Sequence, residues 1–191
     1  MSAETYTKIL TAGRQLFIKQ GYTATSMRQI AESADIGKAT IYHHFPDKES
    51  IMMALLQESL SIKDEILLQV KKETDSYQRI QTATRASIGF LYGYANLIQI
   101  VRREIPGIKD QIQKGFTAFF KEYMELLAEA IRQGIEQGIF RPVDPEDYAR
   151  VLLSMIQGTF TMAYLINERA ETPEIAADAL LDVYFKGLNT R

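Results

Sequence analysis

Thr25-Ser26-Met27-Arg28-Gln29-Ile30-Ala31-Glu32-Ser33-Ala34-Asp35-Ile36-Gly37-Lys38-Ala39-Thr40-Ile41-Tyr42-His43-His44-Phe45-Pro46 is the stretch from which the fold can be read. Its apolar positions recur at spacings of three and four, the mark of amphipathic helices. Thr25 or Ser26 stands where a helix N-cap belongs, since a hydroxyl there accepts from an orphan backbone N–H. Met27, Ile30, Ala31 and Ala34 then turn inward. Asp35-Ile36-Gly37 supplies a tight turn, and the next helix runs from about Lys38 to His44. Phe45 precedes Pro46, which biases it away from helical geometry and ends that helix. Two short helices joined by three or four residues and packed on a preceding helix make a helix-turn-helix.

The preceding helix is predicted from about Ala3 to Lys19, with Gly21 as its C-terminal stop. Ile9, Phe17, Met27, Ile30, Ala31, Ile36, Ile41 and Phe45 suffice for one small core. With those inward, the third helix presents Lys38, Ala39, Thr40 and His43 outward. It is short, polar and small at Ala39, and so fits a major groove about 12 Å wide. Lys38 can donate to guanine acceptors, and the methyl groups of Ala39 and Thr40 can meet thymine. Thr25, Ser26, Tyr42 and Lys48 lie at helix ends or edges, where hydroxyl and ammonium donors suit phosphate oxygens. Such contacts fix register without reading sequence.

Beyond this segment the pattern stays helical. Asp47 caps a long fourth helix reaching about Lys72. Further helices are expected at about Ser76 to Tyr92, from Gly93 to Glu104, and from Ile108 to Gln137. Two more follow, capped at Asp144 and Thr172 with Pro145 and Pro173 at their first positions, reaching about Asn167 and Leu188. Strand signals are nearly absent, so the fold class is all-α with about nine helices. The domain boundary falls in the rigid fourth helix, giving a head of residues 1–50 and a body of residues 51–191.

Composition narrows the function. There are no cysteines, which excludes disulfides, thiolate zinc sites and cysteine nucleophiles and fits a reducing cytosol. The first residues carry no signal-peptide pattern, and a cytoplasmic location is expected. The most apolar run, Ile88 to Val101, is interrupted by Gly93, Asn96 and Gln99 and falls short of the roughly 20 residues that span a bilayer. No membrane partner is therefore expected. The formal net charge of −2 argues against a protein that coats nucleic acid by charge alone. The first fifty residues are nevertheless slightly basic, which leaves room for a local DNA-binding face. No triad, Gly-rich phosphate loop or metal-ligand spacing is present, so neither an enzyme nor a cofactor is expected. His43 and His44 do not suggest a metal: adjacent helical side chains point about 100° apart and cannot chelate one ion together.

Gly21-Tyr22-Thr23-Ala24-Thr25-Ser26-Met27-Arg28-Gln29-Ile30-Ala31 resembles the first half of the TetR-family DNA-binding signature. Lys38-Ala39-Thr40-Ile41-Tyr42-His43-His44-Phe45-Pro46-Asp47-Lys48-Glu49 resembles the second, and the likeness covers about residues 9 to 51. The resemblance implies phosphate contacts from Thr25, Tyr42 and Lys48. It implies base-edge or groove contacts from Arg28, Lys38, Ala39, Thr40 and His43, with His44 at the groove edge. Two residues depart from the pattern. Asp35 stands where the family has glycine, in a turn position that wants positive φ, and Gly37 stands where a capping serine or threonine is common.

The same resemblance implies a C-terminal domain that binds a small-molecule effector and forms a homodimer through its last two long helices. Those helices carry apolar sets broader than one core-facing stripe needs. Leu153, Ile156, Ala163, Tyr164, Leu181, Tyr184 and Leu188 are the residues expected to pair across a two-fold axis, the alternative being that all lie inside the monomer. Phe90, Tyr94, Phe116, Phe120, Tyr123, Met155 and Phe160 are candidates to line an effector pocket, or else plain core. The function this implies is a dimeric repressor on a roughly palindromic double-stranded DNA operator, released when an effector favours another spacing of the heads. An activator, or a protein acting through a protein partner, is left open by the sequence.

Overall fold

The structure, a computed structural model, describes the backbone of residues 2–105, 109–165 and 172–189. Among these residues it contains eight helices: α1 (Ala3–Gln20), α2 (Met27–Ser33), α3 (Lys38–His44), α4 (Lys48–Lys72), α5 (Ser76–Glu104), α6 (Lys109–Glu136), α7 (Pro145–Leu165) and α8 (Pro173–Leu188). None of them is long and apolar enough to cross a membrane. The count is one lower than the sequence reading because the break expected at Gly93 does not occur, and α5 runs unbroken for 29 residues. A glycine inside a helix costs about 1 kcal/mol. Burial of Phe90 before it and of Leu97 and Ile100 after it outweighs that cost, since each large apolar side chain taken from water contributes about 2 kcal/mol.

The chain divides into two compact units. The first is Met1–Ser61 with Tyr94–Gln113, and the second is Ile62–Gly93 with Lys114–Arg191. In the first unit α1 packs on α2 and α2 on α3. Ile9, Phe17, Met27, Ile30, Ala31, Ile41 and Phe45 are buried together with Ile51, Met52 and Leu55 of α4, while Ile36 is only half-buried. Gly13 lets α1 lie close against α4, since a Cβ there would stand 2.9 Å from Cγ2 of Ile51. Beside that contact Arg14 pairs with Glu58 at 2.9 Å and stacks 4.7 Å from the Tyr94 ring, whose hydroxyl donates to Glu58 at 3.3 Å. This network ties α1, α4 and the second half of α5 together.

In the second unit α7 packs on α8. Tyr123, fully buried, donates its hydroxyl to the Ala83 carbonyl at 2.9 Å and accepts from Ser87 at 2.8 Å. Burial pushes the Tyr123 hydroxyl well above the ordinary tyrosine range, so it stays a neutral donor. The end of α6 is closed by Gly138 at φ 73°, with the Ile139 N–H bonded to Gly134 O at 2.9 Å and the Gly138 N–H to Ile135 O at 3.0 Å. This is a Schellman turn, which requires a left-handed residue just past the helix. It folds Phe140 back over Gly134, so closely that a Cβ on Gly134 would come within 2.1 Å of the ring. Phe140 also bridges to Asn189 just beyond α8 and lies 6.2 Å from the Phe185 ring.

Candidate nucleic-acid interface

The geometry of the head begins with how α2 is held at both ends. Ser26 is its N-cap: the Ser26 hydroxyl accepts from the Gln29 N–H at 3.3 Å, and the Gln29 side chain accepts from the Ser26 N–H at 2.9 Å. This reciprocal capping box satisfies two orphan donors and was legible in the Ser-x-x-Gln spacing. At the other end Asp35 adopts φ 53°, while the Ile36 N–H reaches Ala31 O at 3.0 Å and the Asp35 N–H reaches Glu32 O at 3.2 Å. The turn is another Schellman motif, and aspartate occupies the position that glycine fills without strain. Asp35→Gly is therefore expected to stabilise the protein by about 0.5–1 kcal/mol, since the left-handed penalty it removes exceeds the flexibility it adds to the unfolded chain. Thermal melts of the two proteins at one protomer concentration check this, and an unchanged or lower melting temperature would contradict it.

Gly37 caps α3 with extended geometry and no side-chain bond. Ile41 is fully buried and anchors α3 to the core. Phe45 ends the helix in an extended conformation and stacks on Tyr6 at 5.2 Å. With Ile41 inward, Lys38, Ala39, Thr40, Tyr42 and His43 are all exposed. Arg28 on α2 is exposed too and meets Glu32 one turn on, at 3.1 Å. A solvated pair of this kind contributes little, so a phosphate can draw the guanidinium away at small cost. His44 is half-buried, and its Nδ1 is enclosed with no partner among the described residues.

Two of the sequence-predicted phosphate donors are placed differently. Thr25 is buried, its hydroxyl donating to Gly21 O at 2.7 Å and accepting from Gln20 at 3.2 Å. The Lys48 ammonium points into the α1–α2 loop, where it donates to Tyr22 O at 2.8 Å, Thr25 O at 2.9 Å and Thr23 O at 3.5 Å. Glu104, near the end of α5, holds the same loop by accepting from the Thr23 N–H at 2.8 Å and its hydroxyl at 3.1 Å. No feature of the local sequence singles out Glu104, which lies 81 residues from its partner.

The other candidates divide between core and surface. Ile156, Leu181, Tyr184 and Leu188, expected at a dimer face, are buried within the protomer, and Leu153 is half-buried. Tyr184 donates its hydroxyl to Tyr148 O at 3.0 Å, inside the second unit. Of the effector candidates, Phe90 and Tyr123 are buried, Phe120 and Met155 half-buried, and Tyr94 belongs to the first unit. Phe116, Phe160, Ala163 and Tyr164 lie, as to their side chains, outside the described residues. A surface groove of about 500 Å³ is lined instead by Lys71, Glu122, Glu129, Arg132 and Glu146 with neighbouring α6 residues, and among the described residues no effector candidate lines it.

A family model for bacterial regulatory proteins of the tetR family matches residues 9–55, and one for the tetracyclin repressor-like C-terminal domain matches residues 73–161. The chain is 29% identical over 162 residues to an HTH-type transcriptional regulator of Bacillus subtilis, covering 85% of this chain and 84% of that one. It is similar to the structure of AibR in complex with isovaleryl coenzyme A and operator DNA, with 27% identity, a TM-score of 0.65, and 95% and 98% of the two chains covered. A choline-bound regulator from Saccharomonospora viridis shares the fold over the whole of both chains, at a TM-score of 0.74 and 22% identity.

Proposed function

The chain belongs to the TetR family of sequence-specific DNA-binding regulators, and on that premise we propose that it is a cytoplasmic homodimeric repressor released from its operator by a small-molecule effector. The observation that carries the reading is the exposed side of α3. Lys38, Ala39, Thr40, Tyr42 and His43 stand clear of the core on a helix anchored by Ile41, with Ala39 small enough for close approach to base edges. Arg28 extends that surface from α2. Tyr42 and the Ser26 end of α2 are suited to phosphates, Lys38 and Thr40 to bases.

One such helix reads few base pairs, so two heads are needed, and α7 and α8 carry the residues to join them. Ile175, Ala179 and Val183 form an exposed stripe at four-residue spacing on α8, and Val151 is exposed on α7. Their burial against a second copy would build a four-helix interface, with the buried Ile156, Leu181, Tyr184 and Leu188 supporting it from within.

The effector is proposed to sit in the second unit, with Phe90, Phe120 and Met155 as its apolar wall and Tyr123 with Ser87 as its polar contact. Relatives hold isovaleryl coenzyme A and choline, so acyl thioesters and quaternary amines are the first probes. The test is selection of a duplex from random-sequence DNA by the intact protein, followed by binding with and without each probe. A palindromic site bound by two protomers and released by a probe is expected. A site without two-fold symmetry, or binding unmoved by any acyl thioester or quaternary amine, would count against the repressor mechanism.

A further inference from the structure

We propose that Lys48 and Glu104 are positioning residues that together clamp the α1–α2 loop, and that Lys48 acts on DNA through this loop rather than by touching a phosphate. The inference rests on the DNA-binding reading of the head and changes the part that one residue plays in it.

An ammonium has three N–H donors and no acceptor. Those of Lys48 are directed at three backbone carbonyls of one loop, Tyr22, Thr23 and Thr25, at 2.8, 3.5 and 2.9 Å. The Tyr22 ring closes over the same nitrogen at 4.3 Å. This surrounding removes water from the ammonium, which lowers its proton affinity, while the Glu104 carboxylate pulls it back up. A phosphate contact would require Lys48 to give up its bonds to three carbonyls, of which Tyr22 O also accepts from the Thr25 N–H at 3.2 Å.

Glu104 completes the arrangement. Its Oε2 takes both the N–H and the hydroxyl of Thr23, the residue between two carbonyls that Lys48 holds. Glu104 Oε1 also lies 3.3 Å from where a Cβ of Gly21 would stand, so the carboxylate fits against a glycine at φ 88° that admits nothing larger. Within the loop, Gln20 donates to Ala24 O at 3.2 Å, and the Thr25 hydroxyl donates to Gly21 O at 2.7 Å. A six-residue loop held in this way delivers Ser26, the N-cap of α2, to one place. The DNA-binding reading assigns phosphate contacts to Ser26 and the neighbouring exposed residues of α2 and α3, so on that reading loop position becomes DNA affinity.

Charge alone gives the opposite expectation. A carboxylate near DNA repels it, so removing Glu104 would tighten binding. A lysine on a phosphate would tolerate arginine in its place, because both carry the charge. The clamp requires Glu104→Ala to weaken binding by about tenfold, the equivalent of one charge-assisted hydrogen bond. Glu104→Gln should recover much of the loss, since its amide oxygen still accepts from Thr23. The clamp also requires Lys48→Arg to weaken binding about as much as Lys48→Met, because a planar guanidinium cannot aim at three converging carbonyls.

The test uses the full-length protein and the duplex it selects, with affinity measured across a range of salt concentrations. The dependence of log Kd on log salt should be unchanged in Lys48→Met. A slope shallower by about 1.8, from two lost phosphate contacts per dimer, would overturn the proposal. So would full activity of Lys48→Arg, or tighter binding by Glu104→Ala. Amide exchange in the free protein supplies a readout independent of DNA. The Thr23 amide should exchange at least tenfold faster in Glu104→Ala and near the original rate in Glu104→Gln. Unchanged exchange would refute the clamp even if no duplex were selected, and in that case the DNA-binding reading would fail separately.

Discussion

Replacing Gly134 by alanine is expected to destabilise the protein by about 2 kcal/mol or more, although alanine is the better helix former. The new methyl would lie 2.1 and 2.3 Å from two carbons of the Phe140 ring, inside any permissible contact distance. The ring has little freedom to retreat: Phe140 is 1% exposed, and its backbone N–H donates to the Gly134 carbonyl at 3.0 Å. Overpacking of this severity costs about 3 kcal/mol, against about 1 kcal/mol gained by replacing glycine within a helix. Phe140→Ala, which empties the same site, should cost about 3–5 kcal/mol on its own. The diagnostic result is the double variant, in which Gly134→Ala should be harmless or mildly stabilising because the ring it collided with is gone. Urea denaturation of the four proteins at one protomer concentration checks this, and additive losses would show that the glycine is not there to admit the ring.

Tyr42→Phe and Lys38→Ala are each expected to weaken operator binding by about 150-fold while leaving the melting temperature within a degree or so. Both side chains are exposed, and neither supports the core. A hydrogen bond to a charged phosphate, or from an ammonium to a base edge, is worth about 1.5 kcal/mol, and a dimer loses it twice. The two variants should differ in kind. Tyr42→Phe removes only a neutral hydroxyl, so affinity should fall equally for all duplexes at an unchanged salt slope. Lys38→Ala should relax the preference at one base position in each half-site if its ammonium reads guanine. Competition with substituted duplexes separates these outcomes. Retention of full affinity by both variants would mean that the outward side of α3 does not face DNA.

The helix-turn-helix was legible because its determinants are local. Ser26 and Gln29 are three residues apart, Asp35 reports its turn by type, and Phe45-Pro46 marks a stop within two positions. What the sequence could not disclose depends on partners far along the chain. Lys48 stands at a helix end where an ammonium could reach a phosphate, but nothing nearby tells whether carbonyls or phosphates accept its hydrogen bonds. Glu104 is brought to Thr23 by the fold alone, across 81 residues of sequence. Helical periodicity likewise marks Ile156, Leu181, Tyr184 and Leu188 as inward-facing without saying whether they face their own chain or another. Gly93 was read as a break because glycine is a weak helix former, whereas the flanking burial decided the matter.

The first compact unit has a consequence for how such regulators can be recombined. It is discontinuous, made of Met1–Ser61 and Tyr94–Gln113, and the second segment supplies the acceptor for Thr23 and the tyrosine beside Arg14. A graft of residues 1–50 onto a foreign body would carry every side chain proposed to contact DNA yet leave behind Glu58, Tyr94 and Glu104. The transplantable cassette is therefore two pieces of chain, and exchange of specificity between relatives has to bring both crossovers or rebuild the missing contacts in the recipient.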